Sequence, residues 1–318
     1  MGANAPLVFK QGRMKDHGGC AQMNVDWFQI LSETIRISPR LVIILCVLFL
    51  PFPALAQTNL DDLRNKIAVG STEEKRSALF EIRSLHTEEA SRIAVPALSD
   101  KIDIVRATAV SSIIFLPHDE SLRLLLPLLK DGSEFVRRET AFALGELGEP
   151  AAAHDLIENL NRESSIENRS AAAIALGKVG NPEAIEPLAV ILKTKPTESQ
   201  GFLRGAAARS IGEIAQAIRF GKHQPTTPQN FLPDKYKKAF GENDGTTLPT
   251  VFDTAVPVLA KVLESSRESN DARREAAFAL GAIANPGSTD LLRSCAAAQE
   301  YYLAEICKEG LLKSPTPK

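Results

Sequence analysis

The sequence predicts an all-α fold, a right-handed α-solenoid of about six stacked helical hairpins. Three observations predict it: a segment that returns every 31 to 35 residues, proline- or glycine-bearing turns after the copies, and a composition rich in Ala and Leu with only 6% aromatic residues. A fixed period of this size means stacked units, each touching its neighbours, and not a globule around one central core. The β-branched, alternating runs that a sheet needs are scarce, so almost no strand is expected.

The chain opens with its strongest apolar run, Leu41 to Leu50, preceded by Arg36 and Arg40 and followed by Pro51, Phe52, Pro53, Ala54, Leu55 and Ala56. A basic flank, a short apolar core and small residues before a cleavage point are the layout of a secretory signal peptide, here cleaved after Ala56. The alternative is an uncleaved membrane anchor, against which stand the shortness of the run and its two prolines. Cys46 follows Leu45 inside the apolar core, so lipidation is not expected. Asp16, Asp26 and Glu33 make an unusual approach to a signal, which fits translation starting downstream, for instance at Met23. Residues 1–56 are therefore read as extension plus signal peptide, and 57–318 as the repeat domain.

The whole chain carries 37 Lys and Arg against 39 Asp and Glu; without residues 1–56 these become 32 and 36, a net charge of −4. Such a balance gives no general attraction to nucleic acid or to anionic membranes. No membrane span is expected once the signal is removed.

Weak copies of the repeat start at Glu74-Lys75 and Val105-Arg106. The strong ones run from Val136-Arg137 to Gly148, from Asn168-Arg169 to Gly180, from Leu203-Arg204 to Ile214 and from Ala272-Arg273 to Ile283. Within each, small or apolar residues such as Ala141, Leu144 and Leu147 recur at helical spacing, which buries one face. Gly145, Gly177, Gly212 and Gly281 fall in the last turn of this first helix. Glycine inside a helix costs about 1 kcal/mol relative to alanine, so here it signals close approach of a neighbouring backbone. A turn follows, as at Gly148-Glu149-Pro150, Gly180-Asn181-Pro182 and Asn285-Pro286-Gly287, and then a second amphipathic helix such as Ser121 to Leu129 or Ala184 to Leu192. Proline suits the first turn of that helix, where its missing N–H costs nothing.

The pattern Val/Leu-Arg-x-x-Ala-x-x-Ala-Leu-Gly followed by Gly-(Asn/Glu)-Pro resembles the HEAT-like repeats first recognised in phycobilin lyases and common in bacterial scaffold proteins. The resemblance covers about residues 72–313 and implies an armadillo-type superhelix. In similar HEAT proteins an acid before the repeat arginine takes part in a ladder of inter-repeat ion pairs. Here an acid lies six residues before it in four copies, Asp100 before Arg106, Asp131 before Arg137, Glu163 before Arg169 and Glu198 before Arg204, and these are read as structural. Arg267 occupies the acidic position before Arg273, so the ladder is expected to be interrupted there.

Between Gly212 and Gly281 the period fails, and residues 219–250 read as a Pro-, Gly-, Thr- and Lys-rich loop inserted between two helices of one hairpin. Insertions in repeat proteins map to one face, often the binding face. Phe231, Tyr236, Lys237, Lys238 and Phe240 are the candidate partner-binding residues, because aromatic side chains supply much of an interface's energy. A merely tolerated loop is the alternative.

Residues that would carry chemistry are not gathered at ligand or triad spacing. His86, His118, His154 and His223 form no ligand motif, although His86 and His118 lie one repeat apart in adjacent turns, near Asp119 and Glu120. The glycines of 241–245 lack the spaced acids and closing glutamate of a calcium loop. No catalytic residue, cofactor or metal is expected. Cys295 and Cys307 either pair in an oxidising compartment or serve as small core residues.

The reading is therefore a non-catalytic interaction scaffold outside the cytoplasm, binding a protein or peptide through a concave face lined by the second helices and through the 219–250 loop. The alternatives are an accessory or regulatory subunit of an exported enzyme and, from the resemblance alone, a bilin lyase-like enzyme. Residues 59–66 and 300–312 are expected to cap the two ends.

Overall fold

The structure is a computed structural model that describes residues 59–221, 229–231, 233 and 247–313. The signal peptide read at 1–56, with its cleavage after Ala56, lies outside the described residues. So do Tyr236, Lys237, Lys238 and Phe240. All described residues belong to one compact unit, Asn59–Lys318.

Among the described residues all regular structure is helical. The α-helices are α1 Leu60–Val69, α2 Thr72–Leu85, α3 Glu88–Ala94, α4 Asp103–Ser112, α5 His118–Leu125, α6 Glu134–Leu147, α7 Ala153–Arg162, α8 Ile166–Val179, α9 Ile185–Lys193, α10 Gly201–Phe220, α11 Val251–Glu264, α12 Asn270–Ile283, α13 Thr289–Cys295 and α14 Tyr301–Lys313. Six hairpins result, α2/α3 to α12/α13, with α1 before them and α14 after.

Local sequence sets the helix ends. Ser71 makes a capping box at the start of α2: its Oγ accepts from the Glu74 amide, and its own amide donates to the Glu74 carboxylate at 2.8 Å. Gly148 and Gly180 close α6 and α8 in the left-handed conformation, at φ 66° and 75°. Pro150, Pro182 and Pro286 open the short 3₁₀ turns that lead into α7, α9 and α13.

The even-numbered helices α2 to α14 pack side by side in one continuous row, and the odd-numbered helices lie behind them. Short side chains make the first row tight. Ala141, Ala171, Ala175, Ala207, Ala276 and Ala279 are fully buried. A Cβ added to Gly145 would lie 2.8 Å from the Cα of Ala175, and one on Gly281 would lie 2.6 Å from the Cα of Gly310. The expected close approach is thus between successive first helices.

The first helices thus make the more closely packed of the two rows. Arg83 of α2 reaches Glu146 of α6 at 3.9 Å, across α4. It can do so because α4 has 10 residues where α2 and α6 have 14.

The insertion also begins later than expected. Helix α10 runs on to Phe220 and ends at Gly221, at φ 62°, so positions 219 and 220 are helical.

Candidate binding groove

The first-helix row carries a groove of about 570 Å³ between α8, α10 and α12. Its floor is backbone and small side chains, Gly201, Gly205 and Ala206; Ile174 and Phe202 give it apolar walls. Phe202 is 70% exposed, an unusual condition for so large an apolar side chain. Polar groups close the remainder: Arg209, Glu213 and Ser210 from α10, Lys178 from α8, Asp271 and Glu275 from α12, and Glu198 from the preceding turn. A second hollow of about 270 Å³, between α12 and α14, shares Asp271 and Glu275 and adds Arg274, Phe278, Tyr302 and Ile306. The two hollows line up along the row.

Arg209 Nε donates to Glu213 Oε1 at 2.9 Å, and its Nη1 stands 3.7 Å from Glu275 Oε1. Glu275 is half-buried. Burial raises its carboxyl to about 7; Arg209 opposes that shift, while Glu213 and Asp271 add to it. Arg274 is held by Asp271 at 2.9 Å and by Glu300 at 3.0 Å, with its guanidinium 5.2 Å from the centre of the Tyr302 ring.

The arginines and acids singled out in the sequence meet in a particular order. Lys75 donates to Asp100 at 2.6 Å, Arg106 to Asp131 at 2.8 and 2.9 Å, and Arg137 to Glu163 at 3.0 Å. Each cation therefore takes the acid of the following hairpin, and Arg106 and Arg137 also donate to the backbone carbonyls of Asp100 and Asp131 in their own turns. The hydrogen bond from Arg106 holds the Asp131 carboxyl below its ordinary range.

The series then breaks one hairpin earlier than expected. Arg169 makes no ion pair among the described residues, its Nε is buried without a partner, and Glu198 is exposed in the groove. Asp100, Asp131 and Glu163 each follow directly on the end of a helical segment, whereas Glu198 stands in the longer connection 194–200 between α9 and α10. At the predicted gap the pairing resumes, because Arg204 takes Glu268, the neighbour of Arg267.

Phe231, one of the predicted partner-binding residues, is engaged within the chain. Its ring stacks on Tyr302 with centroids 4.8 Å apart and meets Tyr301 edge-on at 5.6 Å. The adjacent Asn230 donates to Glu305 at 2.7 Å. The structure also joins Cys295 to Cys307 as a disulfide between α13 and α14, with Cα atoms 5.9 Å apart. His86 and His118 go separate ways: His86 meets Phe115 edge-on, and His118 bonds Glu149. No group of three His, Cys, Asp or Glu side chains gathers among the described residues.

The two-row stack and its periodic pairs agree with comparison at the level of families. The HEAT repeats family matches residues 91–167, and the PBS lyase HEAT-like repeat family matches 169–194 and 272–297. Over these stretches the chain is built of HEAT repeats. No curated protein matches its sequence. An engineered protein of known crystal structure resembles this HEAT chain with a TM-score of 0.50 at 19% identity, over 80% of this chain and 69% of that one. The complex of CpcE and CpcF of phycocyanin lyase from Nostoc sp. PCC7120 gives 0.45 at 19% identity, over 83% and 91%. A designed armadillo repeat protein gives 0.40 at 17% identity, over 80% and 99%. At 19% identity the likeness to the first of these is one of fold alone.

The groove of this HEAT stack was not foreseen from the sequence. One signal for it exists there: the residue after the repeat arginine is Arg138 in α6 and Arg274 in α12 but Gly205 in α10, and the residue five after it is Phe142, Ile174 and Phe278 but Arg209 in α10. Helix α10 exchanges bulk and charge at two of the positions that face the groove.

Proposed function

We propose that this HEAT-repeat chain is a non-catalytic scaffold acting outside the cytoplasm, and that it holds a protein or peptide partner along the row of its first helices. The observation that carries this reading is the line of two hollows from α8 to α14, where apolar walls alternate with charged side chains. Such a surface supplies burial through Phe202 and Ile174 and orientation through Arg209, Glu213 and Glu275. Export is supported by the apolar run Leu41 to Leu50 with its basic flank and by the Cys295–Cys307 disulfide, a bond that persists in oxidising compartments.

The test begins with the full chain, tagged at its C-terminus and recovered from the envelope fraction. Mass spectrometry of its N-terminus should find Gln57; a product that retains the apolar run sinks the cleaved-signal reading. Proteins co-purifying with the wild type should be lost from a Phe202→Asp variant. Equal capture by both removes the groove from the account.

A further inference from the structure

The recurring glycines Gly145, Gly177, Gly212 and Gly281 are demanded by packing, because a Cβ at any of them would come within 3.0 Å of a neighbouring helix. Gly205 is different. A Cβ there meets only Ala272 at 3.8 Å and Glu275 at 4.0 Å, which is ordinary contact. Glycine in the interior of α10 therefore costs helix stability without a packing return, and what it leaves is open space in the groove floor.

The walls around that space carry more acid than base, with Lys178 and Arg209 as the basic side chains. Four carboxylates, Glu198, Glu213, Asp271 and Glu275, line the groove. Arg209 is committed to Glu213, and Arg274 to Asp271 and Glu300. Glu275 keeps a cation only at 3.7 Å, and Glu198 forms no ion pair among the described residues. Glu275 is half-buried and Glu198 exposed at the groove's edge; carboxylates without full compensation attract a cation from outside, and a long side chain can lay its methylenes on apolar surface while its charged end reaches them.

We propose that the groove between α8, α10 and α12 receives a lysine or arginine side chain of a peptide segment, its stem over Gly205 and against Phe202 and its cation at Glu198 and Glu275. The proposal rests on the scaffold reading and names the chemistry of the partner. It makes recognition salt-dependent, since the attraction between partly exposed charges is screened.

The probe is a fluorescent decapeptide alternating lysine with leucine, set against the same peptide with glutamate in place of lysine, both titrated with the full chain. The lysine peptide should bind at least tenfold more tightly than the glutamate peptide. A Gly205→Leu variant, which fills the floor, should weaken the lysine peptide at least tenfold while its thermal unfolding stays at or above that of the wild type. A Glu198→Gln, Glu275→Gln double variant should weaken it comparably without touching the floor. Equal binding of the two peptides, no binding of the lysine peptide, or undiminished binding by the double variant overturns the proposal. Those results leave the scaffold reading intact if envelope proteins are still lost from the Phe202→Asp variant.

Discussion

Arg204 and Glu268, 64 residues apart, meet as a bidentate ion pair with only 2% and 3% of their side chains exposed. The guanidinium uses its other donors on the carbonyl oxygens of Ile191, Leu192 and Thr194. One arginine thus ties the end of α9 to the turn before α12, across the point where the insertion leaves the stack. Charges so deeply buried are tolerable only when every donor is satisfied.

Removing one partner should therefore be costly. Glu268→Gln leaves the Arg204 charge buried and is expected to destabilise by about 3–5 kcal/mol, whereas replacing Arg204 by Met and Glu268 by Leu together should restore much of that loss. Urea unfolding of the two variants measures both. A single variant as stable as the wild type would show that Glu268 is dispensable to the pair.

Two glycines inside first helices should respond with opposite sign. Gly281→Ala drives a Cβ to 2.6 Å from the Gly310 backbone, which belongs to the facing helix and cannot turn aside as a side chain would. A loss of about 1–3 kcal/mol is expected there. Gly205→Ala finds only ordinary contacts and should gain up to about 1 kcal/mol from helix propensity. Thermal unfolding of the pair compares them directly.

Glu275 should give the molecule a pH dependence. Its folded pKa, raised to about 7 chiefly by burial, lies above the ordinary value of 4.5, so the folded chain keeps a proton that the unfolded chain releases. Stability then falls as pH rises between these two values and levels off above the upper one, by about 1–3 kcal/mol for this group. Arg209, Glu213, Asp271 and Arg274 set the local field and stay in place when Glu275 is replaced by Gln. Urea midpoints at pH 5 and pH 8 should differ more in the wild type than in that variant; an unchanged difference would refute the assignment.

Much of the fold was legible because its signals are local and repeated. Val136-Arg137 to Gly148 shows helical spacing, a buried face and a glycine stop within one stretch, and three further copies agree. The ladder was legible in residue types, but not in its break. Counting back six residues from Arg204 lands on Glu198, yet Arg169 makes no ion pair with it, and Arg204 takes Glu268 from beyond the insertion. Phe231 was legible as an aromatic in a loop, but its stacking on Tyr302 joins positions 71 residues apart, beyond the reach of any local pattern.

By itself the sequence determined the stack: the number of hairpins, the buried face of each helix and the glycines at the closest approaches, since each follows from spacing within a few turns of chain. Only the tertiary structure decided which row packs more closely, where the groove opens and which acid each arginine meets. These depend on the relative spacing of two rows of helices and on turn lengths accumulated along the stack, quantities that no single repeat contains.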